Sequence, residues 1–402
     1  MKKYILTIIY FLLINYCFAQ EIGKDVNEKI NKIENSLIEF KSVGGMFYPD
    51  SAQLANPLKL ADRMAIYKVP GVSIAVISNY QIEWAKAYGT MDVNNGAPVT
   101  TETYFEAAST SKLLTAVMAL ILVEKGMLSL DEDVNKYLKS WQVPENEFTK
   151  NEKVTLRRLL THQAGLPMTN FDYDETVGYP TLLDVLNGKS PALNKPAIPE
   201  TVPGSGWMYS NVGYDVVQLV IEEATGKPFA ILTEEIIFKP LDMKNSTFSY
   251  PLNDEQKKRE AMPHNEKGKS CEPSMHLTAL GHAGLVTTPT DLAKLTLELM
   301  LAFTGKSNKI ISSKTAAQIF EKQVDLDPNI FGVPLGMGLG CLLNGSGEDL
   351  QFAHPGNNYP GMISWLIGWP NKGIGFLIMS NGAMGELLSM EIISSLVQEY
   401  LK

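Results

Sequence analysis

Ser109 and Lys112 stand three residues apart at the mouth of the stretch "STSKLLTAVMALILVEKG". A serine hydroxyl is a poor nucleophile until a base takes its proton. Residues three apart share a helical face, so this lysine can reach this serine. From Leu113 to Val123 nearly every residue is apolar, the mark of a helix buried on all sides, and Gly126 is a natural stop. An ammonium is no base, but burial favours the uncharged amine, which is one. A serine at a helix start also gains from the positive end of the helix as negative charge develops. The bland alternative is a lysine that packs its stem and sends its head to solvent. Ser111 is the rival serine, but as the immediate neighbour of Lys112 it does not share its face.

Two further clusters could serve that pair. In "VPGSGWMYSNVGYDVVQLVIEEATG", Gly204, Ser205 and Gly206 mark a loop and Val212 begins a helical pattern. Tyr209 and Asn211 fall just ahead of that helix, where a phenol can relay protons and an amide can hold a polar substrate group. Read blandly, they are a surface tyrosine and a helix cap. In "FAHPGNNYPGMISWLIGW", His354-Pro355-Gly356 is placed just upstream of a strand, where a glycine lets a ligand approach the backbone. The rival His282-Ala283-Gly284 leads into a helix cap instead, so His354 is preferred. Trp207 and Tyr359 flank these clusters and are either pocket walls or packing residues.

The elements that must position these residues are legible in outline. Val26, Ile30, Ile33, Leu37 and Phe40 recur at helical steps over 26–40. "VPGVSIAVISNYQIEWAKAYG" reads as a hairpin turning at Ser78-Asn79, and "GMISWLIGW" and "GIGFLIMSN" as strands separated by Pro370-Asn371-Lys372. The segment Leu387–Leu401 has helical spacing, and residues from about 127 to 345 are rich in helical patterns and loops. Strands at both chain ends with helices between predict an α+β fold: a sheet assembled from both ends of the chain, with a helical insertion on one side. A cleft between those regions is the expected binding site. The expected division is a leader over 1–19, a helical extension over 20–51 and one catalytic domain over 52–402.

The 402 residues are 45% hydrophobic and 20% charged, a soluble globular composition. "MKKYILTIIYFLLINYCFAQ" has two lysines, a short apolar core and a small residue at Ala19, which reads as a secretory signal cut after Ala19. The core is short for a membrane anchor, and Tyr16 is too large to precede a lipidated Cys17. An exported, periplasmic protein with no stable membrane anchor is expected. Losing the two leader lysines takes the formal charge from −9 to −11, and no basic block exists, which excludes nucleic acid as a partner. Cys271 and Cys341 are either a disulfide or two separate thiols. No Cys/His cluster has zinc spacing, so neither metal nor other cofactor is expected.

Taken in order, Ser109-x-x-Lys112, Tyr209-x-Asn211 and His354-x-Gly356 resemble the three-motif set of the penicillin-recognising serine hydrolases. "GMLSLDEDVNKYL", "TLRRLLTHQAGLP", "ATGKPFAILTEEIIFKPLDMKNSTF" and "GHAGLVTTPTDLAKL" lie between them. From about Ala52 to the C-terminus the chain is similar to the class C beta-lactamase-related family, which has peptidase and esterase members. That resemblance implies a beta-lactamase/transpeptidase-like fold, an antiparallel sheet flanked by helices with a mostly helical second region, with Ser109 as acylated nucleophile and Lys112 and Tyr209 sharing the proton work. It further implies Asn211 as a substrate contact, and the backbone N–H groups of Ser109 and Asn357 as an oxyanion hole. Many members carry Lys-Thr-Gly as third motif; here His354 and Pro355 replace the cation and the hydroxyl that help to hold a substrate carboxylate. The expected reaction is hydrolysis of esters, small amides or D-amino-acid peptides. The alternatives are a beta-lactamase or D-Ala-D-Ala carboxypeptidase, and a cell-wall-fragment binding module without turnover.

Overall fold

The computed structural model describes residues 25–43, 46–49, 57–169, 172–273, 278–331 and 333–401. The leader expected over 1–19 lies outside them. The chain forms two compact units, one of residues up to Ile66 together with Leu387 onward, the other Tyr67–Glu386. All but the first two residues of the C-terminal helix belong to the first unit.

In the first unit, helix α1 covers 25–34, six residues short of its expected end. Leu37 instead pairs its backbone with Leu58, which a helical residue cannot do, and both leucine N–H groups are bonded across that bridge. Strands β1 (Phe40–Val43) and β2 (Met46–Pro49) form an antiparallel pair, so the extension is not wholly helical. Helix α2 (Leu60–Tyr67) buries Arg63, whose guanidinium grips Glu391 at 2.9 and 2.6 Å. A buried charge pair needs this two-pronged geometry to offset its desolvation.

The second unit is built on an antiparallel sheet. It contains β3 (Gly71–Ser78), β4 (Gln81–Gly89), β7 (Val324–Asp325), β8 (Gly336–Met337), β9 (Leu342–Asn344), β10 (Gln351–Asn358), β11 (Met362–Trp369) and β12 (Ile374–Ser380). Among the described residues the order is β4-β3-β12-β11-β10-β9-β8-β7. Both chain ends of this unit thus supply the sheet, as expected, but β7 to β9 extend it into the stretch assigned to helices. Those strands are two or three residues long, too short for alternation to show. All eight β3 positions are buried, hence its nearly continuous apolar run. The hairpin turns one residue later than expected: Asn79 and Tyr80 both have positive φ, 52° and 57°, which matches the twist of a two-residue turn. A separate short antiparallel pair joins β5 (Phe105–Glu106) to β6 (Val286–Thr287), with β5 against β11.

Helix α3 (Ser111–Glu124) is buried from Ser111 to Leu122, which its all-round apolar sequence demands. It packs on helix α5 (Asn211–Thr225), as does the short α4 (Leu156–Leu160). Ser210 caps α5 by accepting from Gly213 N–H, and Gly226 closes it at φ 68°. Helix α6 (Pro289–Phe303), capped by Thr288, lies across β3, β4, β11 and β12, with α7 (Ser313–Ile319) against it. Helix α8 (Gly385–Tyr400) ends the described fold, close to the predicted span. Among the described residues no helix is long and apolar enough to cross a membrane. Cys271 and Cys341 are free thiols, which settles the alternative left open by their number.

Candidate active site

Ser109 lies in a single 3-10 turn, Ala108–Thr110, that leads into α3. Ala108 is held at φ 47°, a left-handed conformation that costs a residue with a Cβ roughly 1–2 kcal/mol. Three close polar contacts, made by two hydroxyls that have two protons between them, hold that turn against the sheet. Thr110 Oγ1 donates to the His354 carbonyl at 2.9 Å, Ser364 Oγ donates to the Ala107 carbonyl at 2.6 Å, and the two hydroxyls meet at 2.7 Å. Gly356 sits where these strands press on the turn. A Cβ there would lie 2.4 Å from the Ala107 oxygen and 3.0 Å from the Ser109 nitrogen.

Lys112 is fully buried. Its Nζ lies 3.1 Å from Ser109 Oγ and donates to the His282 carbonyl at 2.8 Å. The ring centres of Tyr209 and Tyr214 are 4.9 and 5.7 Å from the same nitrogen. Its placement depends on the loop carrying His282. Gln218 Oε1 accepts from the N–H groups of Leu280 and Gly281, Thr115 donates to the Gly281 carbonyl, and Ser111 Oγ accepts from Leu285 N–H. His282 Nδ1 is 2.8 Å from Asp215 Oδ1, both side chains buried. The rival serine and rival histidine of the sequence are thus clamps for the lysine's carbonyl partner. That role left no motif, because the loop and the helix are brought together only by the fold.

Tyr209 is half-buried and lines the same cavity as Ser109, but its hydroxyl makes no hydrogen bond to Ser109 or Lys112. Its ring lies 4.3 Å from that of His162. His162 was not singled out within "TLRRLLTHQAGLP", yet it is 2% exposed and lines the cavity. Its Nδ1 accepts from Ser210 N–H at 3.1 Å, so in the neutral ring Nε2 carries the proton, and that atom has no partner. Burial, then the nearby Lys112 and His354, pushes its pKa well below the ordinary value. Asn211 is the first residue of α5 rather than a loop residue. Its Nδ2 donates to the Thr169 carbonyl at 2.8 Å, its Oδ1 is buried without a partner, and it is absent from the cavity wall.

His354-Pro355-Gly356 lies just upstream of the strand read from the sequence, β11, but is itself inside a further strand, β10. Pro355 concealed this, since proline argues against a paired strand. It is accommodated because β9 pairs only with Gln351–Ala353, while β11 pairs with β10 through Asn358. His354 is 4% exposed. Burial first, then the charge of Lys112, depresses its pKa to about 3, so the ring is neutral. Nδ1 faces the Pro355 carbonyl at 2.9 Å and must carry the proton, which leaves Nε2 a lone-pair acceptor.

Ser109, His162, Trp207, Tyr209, His354, Pro355, Gly356 and Asn357 enclose a cavity of about 240 Å3 with Met337, Leu342, Ile363, Trp365 and Glu386. Tyr359 is 83% exposed and outside it. Six of the seven residues singled out as a site by sequence therefore meet here, with Lys112 beneath Ser109 and Asn211 standing apart. A nucleophile in contact with an amine, at a cavity edged by the backbone of a half-paired strand, can perform acyl transfer.

The Beta-lactamase family profile matches residues 59–389. The N-acetylmuramyl-L-alanine amidase of Bacillus subtilis (strain 168) is 25% identical, across 91% of this chain and 87% of that protein. Protein flp of Staphylococcus aureus (strain MRSA252) is 27% identical across 56% of this chain, and the match spans 44% of that relative's length. Among solved structures, the octameric penicillin-binding protein homologue from Pyrococcus abyssi is similar with a TM-score of 0.70 at 23% identity, over 84% of this chain and 76% of that one. The D-alanine carboxypeptidase AmpC from Burkholderia cenocepacia gives 0.64 at 21% identity, over 84% and 96%.

Proposed function

The chain belongs to the Beta-lactamase family, and on that premise we propose that it is an exported serine hydrolase. It would hydrolyse esters, small amides or D-amino-acid peptides through an acyl-enzyme on Ser109. The observation that carries this reading is the 3.1 Å contact between Lys112 Nζ and Ser109 Oγ at the wall of the cavity. The reaction runs from the amine form of Lys112, which donates to the His282 carbonyl and keeps a lone pair for the serine proton. Ser109 Oγ then bonds to the acyl carbon and the carbonyl π pair moves onto oxygen. The N–H groups of Ser109 and Asn357 stabilise that oxyanion. The C–O or C–N bond to the leaving group breaks as that group takes the proton by way of Lys112 and Tyr209. Water, deprotonated by the same pair, attacks the acyl-enzyme and releases the acid and free Ser109. The crowding at Gly356 supports this assignment, because it keeps β10 against the Ser109 amide.

Export rests on the leader sequence alone, and cleavage after Ala19 is testable by N-terminal sequencing of the protein from a secreting host. For the chemistry, a fluorophosphonate probe is expected to label the purified protein at Ser109 and to leave Ser109→Ala unlabelled. Equal labelling of both proteins would remove Ser109 from the mechanism.

A further inference from the structure

The walls of the cavity bear on which acyl groups it takes. Trp207, Met337, Leu342, Ile363 and Trp365 make it largely apolar. Its polar edge is unusual in charge. Glu386, in the first turn of α8, is exposed at the wall, and among the described residues it forms no hydrogen bond or ion pair. Among the described residues no lysine or arginine side chain lines the cavity; Lys112 lies behind its wall, beneath Ser109. Where a carboxylate-binding site would present a cation, His354 presents a neutral ring with an acceptor lone pair at Nε2, and Pro355 has no N–H to give.

A carboxylate at the helix start could be a cap preference and nothing more, since acids are favoured there. Its place on the wall of the reaction cavity, with no counter-charge, gives it a second consequence. A substrate anion would meet a like charge and a lone pair; an ammonium would meet an opposite charge, an acceptor and two indole rings.

We propose that Glu386 and His354 select the acyl donor by charge: the cavity takes apolar acyl groups that are uncharged or carry an ammonium, and rejects those bearing a carboxylate. The selection rests on the hydrolase reading above and names its substrate class. One unit charge across a cavity of this size changes discrimination by about tenfold at protein-surface dielectric.

Three p-nitrophenyl esters of matched length isolate the effect: hexanoate, 6-aminohexanoate and the adipate half-ester. For the full-length mature protein, kcat/KM for hexanoate is expected to exceed that for the adipate half-ester by about tenfold, with 6-aminohexanoate at or above hexanoate. Glu386→Gln should narrow the spread and Glu386→Lys should invert it. Added salt should compress the wild-type ratios, because the carboxylate is exposed. A wild-type preference for the adipate half-ester, or ratios that ignore both substitutions, overturns the proposal while Ser109 labelling leaves the hydrolase reading standing. Failure to turn over any of the esters, together with no fluorophosphonate labelling of Ser109, overturns both.

Discussion

Replacing Lys112 by Met separates what this residue does for the reaction from what it does for the fold. The side chain is fully buried, and methionine nearly matches its volume. The amine makes two hydrogen bonds, to Ser109 Oγ and to the His282 carbonyl. Losing them costs about 0.5–1.5 kcal/mol each, and a stranded buried carbonyl costs about 1–3 kcal/mol. Against this, the most polar group in α3 no longer has to be stripped of water, which returns a few kcal/mol. The balance lies within about 2 kcal/mol of zero, a melting shift of a few degrees in a chain this long. Removing a general base slows the chemical step by about 10²- to 10⁴-fold, or about 2.7–5.5 kcal/mol of barrier. The assay is the second-order rate of fluorophosphonate labelling, measured beside a thermal melt. Lys112→Gln is the companion variant, since its amide can still donate to the His282 carbonyl but cannot accept the serine proton. Both are expected to stay folded and lose labelling. Wild-type labelling rates in either folded variant refute the assignment of Lys112 as base.

Three other perturbations test the surroundings. Gly356→Ala places a methyl 2.4 Å from the Ala107 oxygen and 2.5 Å from Ser364 Oγ; it should cost about 1–3 kcal/mol of stability and slow acylation by about 10²-fold as β10 leaves the Ser109 amide, and an unchanged rate would detach β10 from oxyanion binding. Because the His354 pKa falls from 6.5 to about 3 on folding, the unfolded chain alone takes up a proton as pH drops below 6.5. Stability present above that pH is therefore lost towards pH 3, and His162 adds loss in the same direction. Urea unfolding between pH 6.5 and 5 should show a loss approaching about 1.4 kcal/mol per unit for each histidine, and His354→Asn should remove one such contribution. Glu260 behaves oppositely: burial, and next the carboxylate of Glu106, raise it from 4.5 to about 7. The stability from its retained proton is present below pH 4.5 and lost as pH rises through 7, so Glu260→Gln should raise the melting temperature at pH 8 more than at pH 5.

The limits of the sequence reading follow from the reach of each signal. Helix α3 was legible because Leu113–Val123 repeats nearly one message, apolar on every side, and the pair Ser109 and Lys112 because their three-residue spacing is a local geometric fact. The strands β3, β11 and β12 were legible for a similar reason, being seven or eight residues of nearly unbroken apolar character. Helix α1 was overextended because Leu37 keeps the helical spacing while its backbone answers to Leu58, a competing partner that periodicity cannot register. Strands β7 to β9 were missed because two or three residues carry no period. Pro355 hid the strand that contains it, since the rule against proline in a sheet says nothing of a strand whose second edge is left unpaired.

The same limit applies to the chemistry, and it bears on which residues govern activity. Spacing could bring the amine to the hydroxyl but not fix the amine's other partner, the carbonyl of His282, 170 residues away. That carbonyl is aimed by Asp215 and Gln218 of α5 and by Thr115 and Ser111 of α3, none of which touches the cavity. An amine left with the serine as its sole partner would be free to rotate away. A bound carbonyl limits the orientations in which Lys112 can meet Ser109, and orientation of this kind multiplies rate without any further contact to substrate. Asp215→Asn should accordingly weaken the hold on His282 and slow labelling through Lys112, and it should do so equally for all three matched esters, because the loop acts on the base and not on the acyl pocket. A change in the ratios between esters would instead place Asp215 in substrate selection and break the separation between the two parts of the site.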